Sequence, residues 1–386
     1  MDNMQGRIFD FGVNDSSDFG FTLKDSTGSR DIRFTLPERF VPSSDLIALS
    51  LCTLIGQKYS EIELDLAITD RTRRYISAIT NSEIKSGRAA LPDSAPPGRT
   101  TALNFSGGFD SLAALALMPE NRKLVSLDFG GSFERESKFF NSFDTTVVRT
   151  NFRNLGFASN HWTFMGIGTI LLRDYLEIET YSFGSILEAS PWNFKQSHFT
   201  NKPQPVFAAA DMAQFNPVLG LTEVGTVMVI AKHLPELFAK SLSSLAAPKS
   251  EKLNRKIILL NIVQELFSDD FGISVQQDTT EAHFEFGKSL ASDFLSLYIC
   301  KRKGKKKAEE LVSKIPHDID SFLKGRTLDF FEKINPIFTA AWSFDQKQQV
   351  YSKLLAARVE IYNELDWCEY RDTIAYLSTW HPSLKS

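Results

Sequence analysis

The run Asn104-Phe105-Ser106-Gly107-Gly108-Phe109-Asp110-Ser111 sets two adjacent glycines between two hydroxyls and beside a carboxylate. Paired glycines reach backbone conformations closed to other residues and let a ligand approach the main chain. Apolar Thr101-Ala102-Leu103 precedes the run, and the apolar stretch from Leu112 to Met118 follows it. The pattern predicts a strand, a turn and a helix starting near Asp110. Unsatisfied N–H groups at the start of such a helix point at an anion, which the helix dipole also favours. A polyphosphate is the expected occupant. The alternative is an ordinary strand-to-helix turn in which Asp110 serves as the N-cap.

Ser106 to Ser111 reads Ser-Gly-Gly-Phe-Asp-Ser and resembles the SGGxDS signature of the PP-loop ATP pyrophosphatases, which cleave ATP between its α and β phosphates. No GxxxxGK[ST] occurs in the chain, so Walker-type chemistry loses its main support. Within the superfamily the chain is most similar to 7-cyano-7-deazaguanine synthase and its relatives, over roughly Thr101 to Arg255. That resemblance implies a doubly wound parallel sheet of the PP-loop (HUP) type. It implies ATP and Mg²⁺ as cofactors, with Ser106, Asp110 and Ser111 as catalytic residues. Phe105, Gly107, Gly108 and Phe109 complete the nucleotide-binding loop.

Three further segments follow in the family's order. Leu127-Asp128-Phe129-Gly130-Gly131, ahead of Glu134-Arg135-Glu136, resembles the FDYGQ strand end and its charged helix. Asp128 and Gly130 are therefore expected beside the phosphate loop, beyond the carboxyl ends of the strands. Phe164, Ile167, Leu171 and Tyr175 recur at helical spacing, and Ile178 to Phe183 then alternates as a strand ending at Gly184. Glu188 stands one position short of the usual Asp. In Asn216-Pro217-Val218-Leu219-Gly220-Leu221-Thr222-Glu223, Glu223 replaces the family's phosphate-neutralising Lys. A carboxylate there adds repulsion unless Mg²⁺ or a displaced cation compensates.

Relatives hold a structural zinc on four cysteines, but Ser241 to Lys256 contains none, and Cys52, Cys300 and Cys368 are far apart. No zinc is expected, and no metal ligand is assigned. That stretch instead carries Lys249, Lys252, Arg255 and Lys256. Arg255 roughly overlays a family arginine, and the lysines read as a solvated helix face. Residues 190–202 read as a loop over the pocket, where Lys195, His198 or Lys202 could supply the charge missing at Glu223, or as a surface loop anchored by Trp192 and Phe194, the reading preferred for His198. The basic run Lys301-Arg302-Lys303-Gly304-Lys305-Lys306-Lys307 reads as a mobile interhelical loop or an RNA contact.

The surrounding elements divide into three parts. Residues 1–95 form a β-rich accessory domain: short apolar pieces between Arg7 and Leu36 suggest a small antiparallel sheet, Leu46 to Ile55 a helix, and Glu61 to Ile68 a half-buried strand. Leu91-Pro92-Asp93-Ser94-Ala95-Pro96-Pro97-Gly98 marks a boundary. Residues 99–250 form the ATP-binding α/β domain, with strands at Thr101 to Phe105, Leu124 to Phe129, Thr145 to Arg149 and Glu179 to Phe183. Residues 251–386 are helical in period at Ile257 to Phe267, Phe284 to Ile299, Leu328 to Ile334 and Val350 to Leu365.

The chain's 386 residues, net charge of −4 and 42% hydrophobic content fit a cytoplasmic enzyme and argue against a surface built for nucleic acid. No apolar run reaches membrane-spanning length, and the polar start lacks a signal peptide's core. The expected reaction is adenylation of a small-molecule carboxylate, a deazapurine among the candidates, followed by capture by an amine or ammonia, with a protein or RNA as a larger acceptor. A homo-oligomer is compatible with this reading. The alternatives are a PP-loop tRNA-modifying enzyme and a nucleotide-binding partner or sensor subunit with altered catalysis.

Overall fold

The computed structural model describes residues 5–13, 18–37, 40–87, 98–157, 161–245, 250–273, 282 and 284–385. They fall into two compact units interleaved along the chain. The first comprises Met1–Ser106, Pro119–Phe183 and Lys202–Phe215; the second comprises Gly107–Met118, Gly184–Asn201 and Asn216–Ser386.

The first unit is α/β and carries one ten-stranded sheet. Its strands are β1 (Gln5–Val13), β2 (Asp18–Asp25), β3 (Gly28–Thr35), β4 (Glu61–Leu64), β5 (Glu83–Ser86), β6 (Thr100–Asn104), β7 (Lys123–Asp128), β8 (Thr145–Thr150), β9 (Ile178–Phe183) and β10 (Ala213–Gln214). Their order is β10-β9-β6-β7-β8-β3-β2-β1-β4-β5. The ladders from β10 to β8 are parallel, as are β1 with β4 and β4 with β5, so the sheet is mostly parallel. The three antiparallel ladders join β8 to β3, β3 to β2 and β2 to β1.

The N-terminal strands therefore do not form a sheet of their own, as a separate 1–95 domain would require. Phe34 pairs with Thr150 and Thr35 with Arg149, which ties β3 to β8 by backbone hydrogen bonds. Alternation gives this junction an apolar face, where Phe19, Phe21, Phe34, Phe129 and Phe152 share one core. The helix Ser44–Ile55 is buried at every residue from Leu46 to Ile55 and belongs to that core. The strand expected over 61–68 ends at Leu64, and residues 91–97 of the expected boundary lie outside the described residues.

In the second unit the helix Phe109–Leu117 packs on Glu223–His233, which packs on Glu251–Phe267. Toward the C-terminus Phe294, Phe330 and Phe331 form a ring cluster with centroids 4.3 Å and 4.5 Å apart for the closest pairs. The period expected over Phe284 to Ile299 splits into a short strand, Phe284–Glu285, and the helix Leu290–Lys303. Gly287 at φ 93° turns the chain between them. Val350 to Leu365 likewise divides between Phe344–Ala356 and Glu364–Ser378, with Arg358 at φ 59° in the break. Leu328 to Ile334 contains only the 3₁₀ turn Asp329–Glu332.

The basic run is not a loop. Lys301, Arg302 and Lys303 end one helix, Gly304 breaks it, and Lys305–Ala308 forms another. Arg302 pairs with Asp329 and Glu332, Lys303 with Glu265, and Lys307 with Glu310. Among the described residues no helix is long and apolar enough to cross a membrane.

Candidate functional site

The chain passes from the first unit to the second between Ser106 and Gly107. Phe105 is core: its ring meets Phe143 edge-on at 4.8 Å, its N–H donates to Val125 O, and its carbonyl accepts from the Ser126 hydroxyl. Ser106 is exposed. Gly107 turns the chain at φ 76°, and its carbonyl accepts from the buried Ser241 hydroxyl at 2.8 Å. Gly108 is the N-cap of Phe109–Leu117 and offers no side-chain cap, while the Ser111 hydroxyl donates back to Gly108 O at 2.9 Å. A helix that starts at a glycine has no capping side chain of its own at that position.

Phe109 is core as well, packed edge-on against Phe238 at 5.3 Å. Gly184 has a packing reason to be glycine. A Cβ there would stand 2.6 Å from Ser111 N and 2.8 Å from the Asp110 carbonyl carbon, so the backbone at Gly184 runs directly against the first turn of this helix.

Behind Asp110 lies a buried charge cluster. Lys256 is 2% exposed, and its ammonium is 3.0 Å from Asp110 Oδ1 and 2.5 Å from Glu223 Oε1. Arg255 Nε stands 3.0 Å from Glu223 Oε2, and the same guanidinium donates to Glu251 at 2.9 Å. The Thr226 hydroxyl donates to Asp110 at 3.2 Å and to Glu223 O at 2.8 Å. Lys256 also lies 5.1 Å over the Phe109 ring, a cation–π contact in a dry setting.

Glu188 closes the cluster by accepting the Glu223 N–H at 2.9 Å, at the start of the helix Glu223–His233. Its other oxygen, Oε2, is buried without a hydrogen-bond partner among the described residues. Burial pushes the Glu188 carboxyl up to about 8, with the neighbouring Glu223 charge adding to the effect. Burial acts the same way on Glu223, but Lys256 and Arg255 reverse it and hold that carboxyl below its usual range. Lys256 is raised although burial opposes its charge, because Asp110 and Glu223 flank it. With Glu188 neutral, three carboxylates face two cations.

Comparison with protein-family models, curated proteins and solved structures returned no match.

The cation expected to answer Glu223 comes from a different element. Lys195 donates to Lys385 O at 2.8 Å, and His198 is exposed beside Ser197 at 3.3 Å. Lys202 belongs to the first unit. Arg255 joins the cluster through Glu223 and Glu251. Lys256 is the correction, buried where a solvated face was expected. Its signal was the run Ile257-Ile258-Leu259-Leu260 directly after it, since a helix apolar on all sides is buried. Ser241 and Thr226 gave no such signal.

Asp128 and Gly130 lie in the first unit. The Asp128 carboxylate accepts from Gly130 N at 2.9 Å and from Ser137 at 3.2 Å. Among the described residues no group of three or more His, Cys, Asp or Glu side chains is placed to hold a metal ion.

Proposed function

We propose that the chain is an ATP-dependent ligase of the PP-loop ATP pyrophosphatase type, similar to 7-cyano-7-deazaguanine synthases, built on a doubly wound parallel sheet. The observation that carries this reading is the turn at Gly107 and Gly108. It opens a helix without a side-chain cap and sets Asp110, held from behind by Lys256, in the first helical turn.

Amides of this turn, with the hydroxyls of Ser106 and Ser111, hold the polyphosphate. Asp110 keeps one carboxylate oxygen on Lys256, and its other oxygen would help hold the Mg²⁺ that accompanies ATP, which would supply charge neutralisation on the phosphates. A carboxylate oxygen of the substrate bonds to the α-phosphorus as the bond to the α,β-bridging oxygen breaks. Pyrophosphate leaves with that electron pair, and an amine or ammonia then displaces AMP from the acyl carbon. The protein's part is to hold the reactants in line and balance phosphate charge. Lys256 is the displaced cation that lets Glu223 occupy the family's lysine position.

A second reading keeps nucleotide binding without turnover. It is favoured by the enclosure of Lys256, whose charge is shared by two carboxylates inside the protein. The RNA reading loses ground, because Arg302, Lys303 and Lys307 are paired internally.

Calorimetry with Mg·ATP, together with pyrophosphate release in the presence of candidate carboxylates, tests the proposal. Release of AMP and pyrophosphate supports the ligase, and tight binding without release supports the second reading. Absence of binding removes both.

A further inference from the structure

The junction of β3 and β8 brings two arginines together on one face of the first unit's sheet. Thr35 is paired with Arg149 in the antiparallel ladder, and Asp128 is paired with Arg149 in the parallel one. Directly paired residues share a face, and so do residues two apart on one strand. Arg33, Thr35, Asp128 and Arg149 therefore project from the same side. The alternate residues Phe34 and Val148 are buried on the other.

These residues border an open cavity of about 270 Å³, which Phe129, Gly130, Thr150 and Asn151 also line. That is near the lower end of the roughly 300–1,000 Å³ typical of small-molecule sites. It lies at the carboxyl ends of β7 and β8, the side on which parallel sheets bind ligands. Asn151 is structural there: it accepts from Arg33 N and donates to Asp31 O, both at 2.9 Å, which fixes the backbone that carries Arg33.

The two arginines are available to a ligand. Arg33 is exposed, and its guanidinium forms no ion pair among the described residues. Arg149 Nε stands 3.5 Å from Asp128 Oδ2, and the arginine side chain is 68% exposed. Asp128 is itself held by Gly130 and Ser137, and no hydrogen bond ties the Arg149 guanidinium down among the described residues. Planar guanidinium forks match carboxylate and phosphate oxygens in pairs.

We infer that this cavity binds a small molecule through a single oxyanion head, carboxylate or phosphate, gripped by Arg33 and Arg149. The inference stands on the first unit alone and does not depend on the nucleotide reading.

The test titrates the full-length protein with indole-3-carboxylate and, separately, with inorganic phosphate, by calorimetry at low salt. Indole-3-carboxamide serves as the neutral control. Saturable binding of the carboxylate alone marks an organic acid as the ligand, and binding of phosphate alone marks a phosphorylated one. In either case Arg33→Gln and Arg149→Gln each weaken binding at least about tenfold. A thermal melt of Arg33→Gln matching the wild type shows that the fold is intact. Saturable binding of neither anion, binding of the carboxamide as tight as the carboxylate, or affinity unchanged in both variants overturns the inference. Mg·ATP titrated into the same samples separates the two claims: nucleotide binding without anion binding removes only this one.

Discussion

The Lys256 ammonium lies 2.5 Å from the Glu223 carboxylate, both of them buried. The ammonium comes from the helix Glu251–Phe267 and lies between Glu223 and Asp110 within the second unit.

Lys256→Met should be strongly destabilising. It leaves Glu223 buried with only Arg255 and removes the partner of Asp110. Breaking a buried ion pair from one side costs about 3–5 kcal/mol. Urea denaturation of Lys256→Met beside the double variant Lys256→Met/Glu223→Gln checks the mechanism, because neutralising Glu223 should recover part of the loss.

Glu188→Gln should flatten the pH dependence of stability. Burial raises the Glu188 carboxyl to about 8 from an ordinary 4.5, so the folded state binds the extra proton between those values. Wild-type stability therefore falls as pH rises through that window and levels off above it. Thermal melts should show the variant close to wild type near pH 4.5 and more stable than wild type above pH 8. Parallel curves would remove Glu188 as the titrating group.

Asp110→Asn should reduce pyrophosphate release from Mg·ATP by about a hundredfold, the scale for loss of one positioned charge-stabilising group. The fold should persist, because Lys256 keeps Glu223 as a partner. Circular dichroism and calorimetry on the same preparation separate lost turnover from lost structure.

Gly184→Ala should disturb the first turn of Phe109–Leu117 through backbone contact. Its new Cβ would stand 2.6 Å from Ser111 N, where no flexible side chain can give way. Overpacking of this kind costs about 1–3 kcal/mol. Mg·ATP affinity should fall with stability, and a wild-type affinity in this variant would show that the first turn of Phe109–Leu117 takes no part in binding.

The local features were legible in the sequence. The turn at Gly107 and Gly108, the strands at β6 to β9 and the helix over Leu46 to Ile55 are written in residues a few positions apart, where glycine freedom and hydrophobic patterning act directly. Helix breaks without a proline or a clear periodic fault were less legible. Arg358 and Leu328 both take left-handed conformations that their side chains do not advertise.

The sequence by itself determined where the chain turns, which segments alternate, and that a glycine turn opens the helix Phe109–Leu117. Only the tertiary structure decided that Lys256 meets Asp110 from 146 positions away, that β3 pairs with β8, and that Arg33 and Arg149 share a face. The physical reason is one of range. Backbone preferences are settled by a residue and its neighbours, whereas the partner of a buried charge or of a strand edge is set by whichever surface the packed core brings against it.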